Sequence, residues 1–230
     1  MEEEKSLSQQ ESLQLITEMI GKAKNHFHES GTSAILWGSV IGVAGLVSFA
    51  EMHWHFDIGF DIWLIVLAAI IPQVFLIIRE ARNRKVVTHT EAAIDAAWMA
   101  YGISIFALIF YFNIVPGVTD RWFAQEGITL TQAGPDHIAK PFHTFIPSYG
   151  SLLLLLYAIP TLTTGVAGKF KPMFWAAILC YLFFILSCFT PVAYDMLLNG
   201  LAGIFNWLIP GLILRRKYYR HQKALNVQRS

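Results

Sequence analysis

The sequence predicts an all-α polytopic membrane protein, with six transmembrane helices and an N-terminal amphipathic cytoplasmic helix. Three observations lead there. Hydrophobic residues make up 55% of the 230-residue chain and charged residues only 14%, against about 25% charged in soluble domains. The mean hydropathy is +0.48. A soluble fold of this size cannot hide so many apolar side chains, because small folds keep much of their surface in water. Asp, Glu, Lys and Arg are absent from 30–50, 62–78, 96–119, 141–168, 172–194 and 196–214. Each window lies near or above the roughly 17–25 residues that carry a helix across hydrocarbon. The Lys and Arg residues, finally, fall in alternate connecting segments. The apolar runs are continuous rather than alternating, which excludes a β-barrel. Backbone groups in lipid must bond internally, so each run is read as helix.

Residues 1–33 form the first unit. The acidic start (MEEEK) is unlike the basic n-region of a cleaved signal, so the first span is read as an uncleaved anchor. Ser8 and Glu11 have the spacing of a capping box, which satisfies two free amide donors at a helix start. Leu13, Ile16, Ile20, Ala23 and Phe27 then recur at three- and four-residue steps along one stripe. The polar face mixes Glu11, Glu18 and Glu29 with Lys22 and Lys24. Helices that adsorb to anionic lipid have a more basic polar face. The stripe is therefore expected to bind protein, either the chain's own bundle or a cytoplasmic or membrane partner. Leu13, Ile16, Ile20 and Phe27 are the candidate partner-binding residues. The competing reading rests the helix at the membrane interface.

The second unit, 34–215, holds spans near 34–51, 61–79, 94–115, 148–167, 173–191 and 196–215. Ala34, Gly38 and Gly42 are four residues apart, with Gly45 beyond, and mark a face where backbones approach closely. Asp61 and Asp195 begin the second and sixth spans and are read as caps on free amides. Thr88 and Glu91 form a second capping box before the third span. Pro72, Pro160 and Pro210 are expected to bend their helices. Cys180 and Cys188 are eight residues apart on one helix, about 12 Å of rise, which is beyond disulfide reach. They are read as packing residues. Asn113 and Asn206 are expected to bond neighbouring helices. A basic tail, 216–230, closes the chain.

Orientation follows from the 17 basic residues. Lys5, Lys22 and Lys24 precede the first span. Arg79, Arg82, Arg84 and Lys85 follow the second, and Lys169 and Lys171 follow the fourth. Arg215, Arg216, Lys217, Arg220, Lys223 and Arg229 end the chain. The alternate segments hold only Arg121 and Lys140. By the positive-inside rule both termini are cytoplasmic, in the inner membrane. The net charge of +1 gives no reason to expect nucleic acid as a partner; the lipid bilayer is the partner the composition requires.

Chemistry is less visible. No phosphate-cradling, nucleophile-elbow, H-E-x-x-H or C-x-x-C pattern occurs. The spans carry ionisable residues only at their edges, which argues against a coupled transporter. Polar interest gathers in the long outer loop 116–146, which holds Arg121, Trp122, Phe123, Asp136, His137 and His143. At the outer end of the first span Glu51, His53, His55 and Asp57 alternate. An extended segment would put all four on one face. With His137 and His143 they form a candidate Zn²⁺ ligand set, three protein ligands leaving a water position open. The leading expectation is a non-enzymatic interaction or regulatory module of the inner membrane, contacting a partner through helix 9–29. The alternative is a metal-dependent membrane enzyme or metal handler using His53, His55, Asp57, His137 and His143. A small-solute transporter or channel is a third reading. No cofactor is specified, and whether the chain is an enzyme stays open.

Four runs also carry a resemblance. They are ITEMIGKAKNHFHESGTSAILWG (16–38), AWMAYGIS (97–104), LYAIPTLTTGVAGKFKP (156–172) and LIPGLILRRKYY (208–219). Together they resemble an uncharacterised bacterial family of small six-span integral membrane proteins of unknown function. The resemblance implies a six-helix architecture and carries over no activity. Segments 51–61 and 116–146 fall outside the family pattern.

Overall fold

The computed structural model describes residues 31–83, 87–133 and 139–229. The stripe residues Leu13, Ile16, Ile20 and Phe27, and His137, lie outside the described residues. The elements run α1 (Thr32–Trp54), α2 (Leu64–Ala68), α3 (Ile70–Asn83), α4 (His89–Gln125), β1 (Thr131–Ala133), β2 (Ala139–Pro141), α5 (Tyr149–Ala167), α6 (Lys171–Ser187) and α7 (Val192–Gly203). A π-helical turn (Ile204–Leu208) then leads into α8 (Ile209–Arg229). Among the described residues the regular structure is helical apart from one short antiparallel ladder that pairs Gln132 with Lys140.

Among the described residues five helical stretches are long and apolar enough to cross a membrane. They are Thr32–Trp54, Leu64–Arg82, His89–Gln125, Tyr149–Ala167 and Val192–Arg220. Lys171–Ser187 is also apolar, at 17 residues.

Local sequence explains the helix ends. Thr88 accepts the Glu91 amide at 3.2 Å, and Glu91 accepts the Thr88 amide in return at 2.8 Å. This is the expected capping box. Helix α4 overruns its expected end, however, and continues through Pro116 to Gln125. The outer loop therefore begins ten residues later than the composition indicated. A proline removes one amide donor and frees the carbonyl of Phe112, but it does not oblige the chain to stop. Past it, the Thr119 hydroxyl donates to Val115 O at 2.9 Å and Arg121 Nε to Gly117 O at 3.1 Å.

Helices α5 and α6 pack against each other and against the α7–π–α8 rod, α1 packs against that rod, α4 leans on α5 and α2 touches α1. The seam between α1 and the last rod is backbone on backbone. Gly38 faces Leu208, Gly42 faces Ile204, and Gly45 faces Gly200. Gly203 lies against Gly42, and Gly211 against Ile35 and Gly31. Only residues without a Cβ permit this approach. Gly31 itself has φ 69°, the left-handed region, as the chain enters α1.

Behind the seam lies an aromatic core. The Trp207 ring centroid is 4.9 Å from that of Tyr157, 6.0 Å from Trp98 and 6.1 Å from Tyr101. Both indole N–H groups find partners. Trp207 Nε1 donates to Thr161 Oγ1 at 3.1 Å, and Trp98 Nε1 to Thr164 Oγ1 at 3.0 Å. Each threonine in turn donates to a carbonyl one turn back on α5, Tyr157 O and Pro160 O. Cys180 is buried and its thiol points at Leu154 O, whereas Cys188 is exposed; neither forms a disulfide. Of the two asparagines, Asn113 departs from expectation. Asn113 Nδ2 bonds Ile109 O on its own helix, because four residues back is the nearest free acceptor. Asn206 is buried, with its side chain against the Cys180 thiol on the neighbouring helix α6.

Candidate functional site

Polar chemistry collects at the end of the bundle where α1 finishes and α5 and α7 begin. A cavity of ≈ 650 Å³ opens there. Ser48, Glu51 and Met52 come from α1, and Asp57, Asp61 and Trp63 from the connection to α2. Tyr149 opens α5 and Met196 belongs to the first turns of α7. Three carboxylates thus share one cavity wall with no Lys or Arg among its lining residues.

The same carboxylates build the wall. Glu51 Oε1 accepts the Ile58 amide at 3.1 Å, Asp57 Oδ1 the Gly59 amide at 2.7 Å, and Asp61 Oδ1 the Trp63 amide at 2.9 Å. Gly59 takes φ 82° to make the turn. Trp63 Nε1 donates to Ser48 Oγ at 3.0 Å and ties the connection back onto α1. Each carboxylate spends one oxygen on the backbone and retains its second. A cavity lined this way concentrates cations.

The candidate ligand residues scatter rather than converge. Helix α1 extends through Trp54, so Glu51 and His53 follow helical rather than extended periodicity. That corrects the expected alternation: residues two apart on a helix do not face the same way. His53 stacks on Phe49 with centroids 5.2 Å apart and meets Trp54 edge-on. His55 ends the helix with φ 54°, and Asp57 caps the turn. His143 lies in the long connection, 3.0 Å from Asp120 at the far end of α4. Among the described residues no group of three His, Cys, Asp or Glu side chains is placed to hold a metal ion.

Asp120 anchors a second feature. Its Oδ1 accepts the Thr144 amide at 2.9 Å and the Thr144 hydroxyl at 2.6 Å. Asp120 lies in the last two turns of α4, beyond the charge-free stretch that ends at 119 and outside the expected span 94–115. These bonds, then the His143 ring, hold its carboxyl below the usual value. A lowered carboxyl contributes above its unfolded value, and its contribution is lost as pH falls through the lowered one. The latch that fastens Thr144 to α4 is thus closed at neutral pH and loosens in acid.

Asp195 is the residue that sequence reasoning misplaced. It was expected to cap the last span, yet Pro191 takes the capping position and Asp195 lies in the first turn, 0% exposed. Asn199, one turn on, is also fully buried. Its Nδ2 donates to Gly150 O at 2.9 Å and Asp195 O at 2.8 Å. The four-residue spacing of Asp195 and Asn199, opposite the Ser148–Ser151 run, was the available signal.

Compared with family profiles, curated proteins and solved structures, the chain matches none.

Proposed function

We propose that this chain is a six-span integral protein of a bacterial inner membrane, with both termini cytoplasmic, acting as a non-enzymatic interaction or regulatory module. The supporting observation is the set of bare apolar helix faces. Ile71, Phe75 and Ile78 on α3, and Ile103, Phe106 and Phe110 on α4, are 45–69% exposed. Water penalises so large a patch and lipid does not. At about 1.5 Å per residue the 17-residue Lys171–Ser187 helix rises roughly 26 Å, the short end of a span, and it serves as the fifth. Arg79, Arg82, Lys169, Lys171, Arg215 and Arg216 then share the cytoplasmic side.

A reporter fused after Ser230 is expected to be active only as a cytoplasmic one. Activity on the opposite side would require an odd number of spans and would overturn the arrangement.

The module reading rests on the stripe at 9–29 and on the cavity, whose carboxylates are held for binding rather than paired for proton transfer. Ile16→Asp with Ile20→Asp puts charge on the stripe and leaves the spans intact. Normal insertion with a smaller native complex is expected, since two apolar contacts of about 1.5–3 kcal/mol each are lost. An unchanged complex size on native gels would remove the stripe as a partner surface.

A further inference from the structure

Four buried oxygen atoms behind the acidic cavity have no hydrogen-bond partner: Asp195 Oδ1 and Oδ2, Asn199 Oδ1 and Ser151 Oγ. Their residues are 0%, 0% and 5% exposed. They belong to one place. Asn199 reaches from α7 to Gly150 O, the residue before Ser151. A Cβ on Gly150 would lie 3.0 Å from Asp195 Cβ and 3.1 Å from Asn199 Nδ2. The hydroxyls of Ser148, Thr190 and Ser151 stand within interaction range of the Asp195 carboxylate, though none meets it in full hydrogen-bond geometry. Both partners of Asn199 Nδ2 are carbonyls, so the amide orientation is fixed and its oxygen is a free acceptor.

We propose that this cluster binds one small monovalent cation of the Na⁺ type. An all-oxygen donor set selects a hard cation. A single carboxylate among neutral hydroxyl and amide groups balances one positive charge, not two. A buried carboxylate with only neutral hydroxyl and amide groups around it is costly, and a bound cation offsets that cost directly. Access is built in as well. Tyr149 and Met196, chain neighbours of Gly150 and Asp195, line the cavity that Glu51, Asp57 and Asp61 make acidic. Cations gathered there stand one side-chain layer from the cluster. The site goes beyond the module reading and does not depend on which side of a membrane it faces.

The test is thermal unfolding of the purified full chain in detergent at neutral pH, with NaCl exchanged for choline chloride at fixed ionic strength. A saturable rise of the midpoint with Na⁺ is expected, as for a ligand bound only by the folded state. Asp195→Asn keeps shape, removes the charge and is expected to abolish the Na⁺ response. Ser151→Ala is expected to raise the half-saturating Na⁺ concentration about tenfold, the loss of one oxygen donor. A wild-type midpoint equal in both salts overturns the proposal; that result would mean a protonated Asp195 fills the role. A Na⁺ response surviving in Asp195→Asn overturns it too. Should Asp195→Asn fail to fold, an unchanged half-saturation in Ser151→Ala overturns the site by itself.

Discussion

Gly38→Val and Gly45→Val are expected to unfold the bundle at far lower temperature or detergent stress than any substitution on α4. A Cβ at Gly38 would fall 2.2 Å from Leu208 N, and at Gly45 2.5 Å from Gly200 N and 2.7 Å from Met196 O. The opposing atoms are backbone, so no rotamer change relieves the clash and α1 must move off the last rod. Overpacking against side chains costs about 1–3 kcal/mol; against backbone the loss should exceed that range. Gly102 and Gly117 on α4 supply the control, because a Cβ there meets nothing within 4 Å. Gly102→Ala and Gly117→Ala should be neutral or stabilising by about 0.5–1 kcal/mol, as for any glycine in a helix interior. If Gly45→Val unfolds alongside Gly102→Ala, the seam is not what holds α1 in place.

Trp207→Ala should be the most damaging single truncation in the core, costing about 3–5 kcal/mol. Trp207 is 2% exposed and touches α5 through Tyr157 and Thr161 and α4 through Trp98 and Tyr101. Removing it empties a position where α4, α5 and the last rod meet. Trp207→Phe separates the two contributions of the indole. It keeps an aromatic ring and loses only the bond to Thr161, whose hydroxyl still donates to Tyr157 O at 2.7 Å. A loss of about 1 kcal/mol is expected for that variant. Equilibrium unfolding in mild detergent measures both, and a Trp207→Ala cost below that of Trp207→Phe would remove the ring as the keystone of the core.

How far the fold was legible in the sequence depends on how far apart in the chain its causes lie. Features set by neighbours were legible. The Thr88–Glu91 box depends on a three-residue spacing, and the glycine face of α1 on helical periodicity. The ends of the apolar runs follow from where charges begin. Features set by distant parts of the chain were not. Pro116 looks like a stop, but Thr144 ties its amide and its hydroxyl to Asp120, one turn past the proline, and supports the extended helix. Glu51 and His53 alternate in sequence, yet the α1–α7 seam holds that turn helical. Asp195 has the position of a cap; only the approach of α5, through Gly150 and Ser151, encloses it. Among the described residues the candidate metal ligands form no group of three. Ligand types can be read from composition, but convergence is decided by packing.

The π-helical turn at Ile204–Leu208 settles a problem of phase. Gly203 and Gly211 both lie against α1, although they are eight residues apart. In an unbroken α-helix of 3.6 residues per turn, eight residues overshoot two full turns by about 80°. A π-bulge absorbs one extra residue without advancing the winding. Eight residues then count as about seven, which leaves a drift of only about 20°. The insertion thus works as a spacer in the angular register: it lets one rod keep a single smooth edge toward α1 past the wide residues Asn206 and Trp207. Pro210, just beyond, denies the Asn206 carbonyl its usual donor, so the wider turn falls where the regular ladder was already broken. What looks like a defect in the last helix brings Gly203 and Gly211 into one narrow arc of its surface.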